Sequence, residues 1–69
     1  MRTGDLVACV VKGHYSVTRP GVVCKVMACN GCNICVEVIL SDNFDEIGRS
    51  FTVRSALFKT LKEILNENS

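Results

Sequence analysis

Asn30-Gly31, set between strand-like runs from Val22 to Cys29 and from Asn33 to Leu40, constrains this chain more than any other feature. Asn-Gly is the strongest short-range hairpin signal, because both residues accept the positive φ that a tight turn between twisted strands requires. Side-chain pairing then sets the register. A two-residue loop that opposes Cys29 and Cys32 puts Lys25 against Val36 and Glu37 against Cys24, leaving each charge beside an apolar neighbour. A three- or five-residue loop opposes Lys25 and Glu37 and gathers Cys24, Val26 and Ala28 on one face with Ile34, Val36 and Val38. The second arrangement is the expected one, since a slip of one residue moves every side chain to the wrong face.

With 69 residues the chain makes one small domain, 1–69, with a thin core. Domains of this size bury only about 60% of the surface that the unfolded chain exposes. Hydrophobic residues make up 48% of the chain, yet there are only three Phe, one Tyr and no Trp, so the interior must come from Val, Ile, Leu and Cys. That composition favours strands. A net charge of +1 is far from the basic surplus of proteins that draw their affinity from phosphates, which makes nucleic acid the less expected partner. No run approaches the roughly 20 apolar residues of a membrane span. The N-terminus shows no signal-peptide plan, and five cysteines, an odd number, cannot all pair within one chain. A reducing cytoplasm is the expected compartment.

The remaining elements follow from local pattern. Leu6-Val7-Ala8-Cys9-Val10-Val11 has no polar alternation and reads as a buried or edge-paired strand. Lys12 to Gly21 is a long ordered loop in which Pro20-Gly21 suits the two central positions of a type II turn. Ser41 to Gly48 is a polar, acidic connection, and Arg49 to Val53 a fourth strand of an antiparallel sheet. Ser55 can cap a final helix from Ala56 to about Asn66, with Leu57, Phe58, Leu61, Ile64 and Leu65 on one face.

Gly4-Asp5 before the first strand, the loop Tyr15 to Gly21 and the hexad Gly21-Val22-Val23-Cys24-Lys25-Val26 together resemble a small SH3-like barrel. The hexad is similar to the Gly-x-Val-x-x-Val core of the KOW family, with Cys24 where that family often has Gly. Small barrels encoded by bacteriophages and mobile elements share this layout. The resemblance covers about Gly4 to Val53 and implies a mainly β protein that binds a peptide, a protein surface or RNA through loops on a rigid barrel. Fold alone carries no function, so the site rests on residues.

Cys29-Asn30-Gly31-Cys32 has the spacing of half a zinc knuckle, with Cys35 three residues on. A structural zinc needs four ligands, so Cys24, Cys9 or His14 would have to complete the set. Strand alternation puts Cys24 and Cys35 on opposite faces, which favours free thiols used as small apolar or turn residues. A disulfide across the tip or between chains is the third reading. Cys-x-x-Cys on a hairpin lacks the helix dipole of a thioredoxin-like site, which argues against an oxidoreductase.

His14, Tyr15, Thr18 and Arg19 in one loop could receive a ligand carboxylate or stack on a base, and aromatic and Arg side chains anchor many interfaces. Asn30 at the tip and Asp42, Phe44 and Asp45 in the acidic connection complete the expected binding loops. Asp42, Asp45 and Glu46 otherwise read as a solvated turn. No nucleophile and base can be assembled around the single His, so the chain is expected to be a non-enzymatic binding module. In its most concrete form it is a phage or mobile-element protein that modulates a host protein such as a defence nuclease. A zinc-stabilised nucleic-acid adaptor is one alternative. The other is a subunit that forms a homodimer or larger homo-oligomer through Leu57, Phe58, Leu61, Ile64 and Leu65.

Overall fold

The computed structural model describes residues 1–13, 15 and 17–67. Its elements are β1 (Leu6–Cys9), β2 (Val23–Asn30), β3 (Asn33–Leu40), a 3-10 turn (Phe44–Glu46), β4 (Ser50–Arg54), a second 3-10 turn (Ser55–Leu57), β5 (Phe58–Thr60) and α1 (Leu61–Glu67). The strands form one antiparallel sheet in the order β4-β3-β2-β1-β5. The protein is therefore mainly β with a C-terminal helix. This layout is consistent with an SH3-like barrel, although β4 and β5 are the outer strands and the sheet does not close on itself.

The hairpin keeps Lys25 opposite Glu37, Cys24 opposite Val38 and Val26 opposite Val36, as side-chain pairing requires. Its tip differs from expectation. Asn30 pairs with Asn33, so the two-residue turn is Gly31-Cys32, with Gly31 at φ +61° in the first central position as a type II′ turn demands. A bulge at Met27 reconciles this short turn with the register that opposes Lys25 and Glu37, since Met27 stands unpaired between Val26 and Ala28. A second irregularity leaves Ile39 unpaired, because Val23 pairs with Leu40 and Cys24 with Val38. Beyond the first bulge Ala28 turns outward and is exposed, not part of the core face as expected.

The C-terminal region departs most from its sequence reading. Leu57 closes a 3-10 turn and Phe58 opens β5, which pairs with β1 through Cys9, so the helix begins only at Leu61. Thr60 caps it, its Oγ1 accepting the Glu63 N–H at 3.1 Å. Phe58 thus enters the core and the half-buried Leu57 packs against it, while Leu61 and Ile64 are half-buried on the helix and Leu65 is exposed. The continuous helical face proposed for self-association does not exist.

β1 lies between β2 and β5 and alternates despite its apolar run: Val7 and Cys9 enter the core while Leu6 faces solvent. Val7, Cys9, Val17, Val22, Cys24, Val26, Ile34, Val36, Val38, Val53 and Phe58 form the core cluster, with Phe51 and Leu57 packed against it. Burying one such Val contributes about 1.5 kcal/mol or more. Val17 and Val22 come from the long first loop, so that loop is part of the packed structure.

Candidate functional site

The first loop is built around Thr18. Its hydroxyl donates to the Tyr15 carbonyl at 2.7 Å and accepts the Tyr15 N–H at 3.1 Å, while the Thr18 N–H donates to the same carbonyl at 3.0 Å. Thr18, expected to face a partner, is fully buried and closes the loop from within. Gly13 donates to the Thr18 carbonyl at 2.7 Å and lies so close to the second 3-10 turn that a Cβ there would sit 2.7 Å from Leu57 Cδ1. Val10 N–H also donates to the Leu57 carbonyl at 2.9 Å. The loop is thereby pressed onto the turn between β4 and β5.

That placement leaves a groove of about 360 Å³ between the loop and β4, lined by Tyr15, Thr18, Asn33, Thr52, Val53, Arg54 and Leu57. Val53 and Leu57 supply its apolar floor. Tyr15, 62% exposed, stands at one wall, and the exposed Arg54 at the other. Among the described residues no carboxylate or thiol belongs to the lining.

Arg19 serves another purpose. Its guanidinium meets Glu46 through two nitrogens, Nη1 to Oε2 at 3.1 Å and Nη2 to Oε1 at 2.8 Å, and also pairs with Asp42 and the Ser41 hydroxyl. The Ser41 hydroxyl donates to Glu46 Oε1 at 2.6 Å. Glu46 is buried, so the acidic connection is not a wholly solvated turn; one of its acids is a structural counter-ion for the first loop. The pairing holds the Asp42 carboxyl below its ordinary pKa and raises that of Arg19, in both cases chiefly through these hydrogen bonds. Arg19, expected to meet a partner, clamps the two loops together.

Pro20-Gly21 forms the expected turn, with Gly21 at φ +100° and the Val22 N–H donating to the Arg19 carbonyl at 3.3 Å. Asn30, Phe44 and Asp45 are exposed, and Phe44 reaches 86% exposure. The expected binding residues are split across the molecule. Tyr15 faces the Asn33 end of β3, whereas Asp42, Phe44 and Asp45 follow its Leu40 end, about 23 Å of strand away. His14 lies outside the described residues.

Cys29 and Cys32 are exposed, Cys35 is half-buried, and Cys9 and Cys24 are in the core. Among the described residues no three His, Cys, Asp or Glu side chains come together to hold a metal ion, and Cys29, Cys32 and Cys35 do not meet as the zinc set that their spacing left open. Burial pushes the Cys24 thiol up to about 11 and raises that of Cys9 as well. The Cys29 thiol donates to the Met1 carbonyl at 3.4 Å. The Cys32 carbonyl accepts both the Ser55 N–H at 2.9 Å and the Ser55 hydroxyl at 3.1 Å, tying the hairpin tip to the turn that floors the groove.

Of the residues lining the groove, Tyr15 and Thr18 belong to the loop singled out from the sequence, whereas Asn33, Thr52, Arg54 and this placement of Leu57 were not foreseen. Arg54 carried a signal, as a cation directly after an alternating strand. No family model, curated protein or solved structure matches the chain.

Proposed function

We propose that this protein is a non-enzymatic binding module that receives an exposed stretch of a partner protein in the groove between its first loop and β4. The observation that carries the reading is an exposed Tyr beside an apolar floor and an exposed Arg that makes no ion pair among the described residues, on a wall made of packed strand. Aromatic and Arg side chains of this kind dominate interface energetics. The groove size falls within the range of about 300–1,000 Å³ typical of ligand sites. Among the described residues its lining offers hydroxyls, an amide and a guanidinium but no carboxylate or thiol to act as base or nucleophile, which supports binding over catalysis. Holding a segment in this way would withhold it from its own protein. A phage or mobile-element module acting on a host protein such as a defence nuclease is one instance of that mode.

Selection of a random peptide library on the immobilised protein tests the reading. The enriched peptides are expected to shift the amide resonances of Tyr15, Thr52 and Leu57. They should also bind Tyr15→Ala about 30-fold more weakly, the loss of a hot-spot contact. Enriched peptides that bind Tyr15→Ala as tightly as the wild type, or a library that yields none, would reject it.

A further inference from the structure

Resting on that reading of the groove, we infer that the bound segment is an extended, acid-flanked strand that hydrogen-bonds to the free edge of β4. The backbone geometry defines this edge. The Ser55 N–H donates to the Cys32 carbonyl and the Val38 N–H to the Arg49 carbonyl, each at 2.9 Å, in a ladder where Arg54 pairs with Asn33. Antiparallel ladders alternate between residues bonded to the neighbour and residues turned away. Phe51 and Val53 therefore bond to β3, and the Arg49 carbonyl and the Ser55 N–H extend that ladder at its two ends, while the Arg49 N–H donates to the Glu46 carbonyl. Ser50, Thr52 and Arg54 direct their N–H and C=O groups outward, and β4 is an outer strand with nothing beyond it in the sheet. Thr52 and Arg54 are also the β4 residues that border the groove together with Val53. A strand laid on this edge would meet backbone groups that have no partner among the described residues, and the Tyr15 ring beside them.

Charge selects the occupant. β4 is bracketed by Arg49 and Arg54, both exposed and neither in an ion pair among the described residues. Glu37, the acid on β3, stands across from Ser50 on one side and Lys25 on the other. A partner strand with carboxylates at matching ends neutralises both arginines. A second copy does not fit as well. Antiparallel self-pairing centred on Thr52 brings the Arg54 end of each copy beside the Arg49 end of the other, and like charges across paired strands are destabilising. Basic ends are also a known way to blunt an outer strand against its own kind. Strand addition with side-chain selection by a neighbouring pocket is an established mode of peptide capture.

The probes are capped peptides of sequence Glu-Val-Thr-Val-Thr-Glu, the same peptide with Lys at both ends, and two acidic versions N-methylated along one backbone edge or the other. The acidic peptide is expected to bind at least about tenfold more tightly than the Lys peptide. One N-methylated version should lose binding and the other keep it, because only one edge of the peptide faces β4. On binding, hydrogen exchange at the Thr52 and Arg54 amides is expected to slow at least about tenfold, while Phe51 and Val53, already bonded to β3, stay unchanged. Arg54→Glu, an exposed substitution whose fold is checked by its unfolding midpoint, should narrow or reverse the preference for the acidic peptide.

Equal binding of both N-methylated peptides, with shifts at Tyr15 and Leu57 but none in Thr52 or Arg54 exchange, would overturn strand addition and leave the groove reading intact. No binding of the acidic peptide up to millimolar concentration also overturns it, and the library selection then judges the groove alone. Sedimentation as a dimer, with Thr52 and Arg54 protected before any peptide is added, would assign the edge to a second copy and overturn the acidic-partner inference.

Discussion

The five thiols show how far a residue type is from being a function. Their spacing suggests a metal site, yet the fold distributes them between core, strand flank and turn. Cys24 and Cys9 act as small apolar residues, and burial holds both as neutral thiols. Brief treatment of the reduced, folded protein with a thiol reagent at neutral pH is expected to label Cys29 and Cys32 first, Cys35 more slowly, and Cys9 and Cys24 only after unfolding. Peptide mapping by mass spectrometry reads the order, and equal rates at all five would contradict the packing described above. A raised thiol pKa also has a sign in stability. The unfolded chain ionises near pH 9 while the folded Cys24 still holds its proton to about 11, so stability falls as pH rises across that window. Arg19 shows the limit of residue-level reading. An Arg in a loop with Tyr and His looks like an anchor, and nothing local reveals that Glu46, distant in sequence, is its buried counter-ion.

Among the elements, the central hairpin was legible because the opposite charges of Lys25 and Glu37 and several apolar pairs agree on a single register. The bulges were not, since an unpaired Met27 or Ile39 looks like any other strand residue until both ends of the ladder are fixed. The C-terminal element misled for a related reason. Leu57, Phe58, Leu61 and Ile64 fit a helical period, but a 3-10 turn, a short strand and a short helix in succession can place apolar residues inward at the same positions. Thr60-Leu61-Lys62-Glu63 is a capping-box pattern that marks the true helix start. Gly13 exposes the fit between the first loop and the second 3-10 turn. Gly13→Ala would put its Cβ 2.6 Å from Thr18 Oγ1 and force one side to move. The expected outcome is a loss of about 1–3 kcal/mol in urea unfolding, with altered amide shifts at Tyr15, Thr18 and Leu57. An unchanged midpoint with unchanged shifts would show that loop and turn are not pressed together.

For the whole molecule, stability is concentrated in the sheet and its fillings and not in the terminal helix. Among the described residues Phe58 is the sole aromatic side chain fully within the core, whereas α1 spans less than two turns with Leu65 69% exposed. Phe58→Ala is expected to cost about 3–5 kcal/mol, enough to unfold much of a marginally stable domain. A chain ending at Thr60 should retain dispersed amide resonances and a cooperative transition at a lower midpoint. The reverse ranking, with the truncation more damaging than Phe58→Ala, would mean that the helix and not the sheet organises the fold.

The double hydrogen bond from Ser55 to the Cys32 carbonyl gives the molecule a built-in reporting position. Cys32 is solvent-facing, its neighbour Asn33 forms part of the groove wall, and Ser55 follows Arg54 directly. A small environment-sensitive dye attached there, with Cys29 changed to Ser, would ride on the same rigid body as the groove without entering it. Occupancy could then be read as a change in fluorescence, with no label on the ligand.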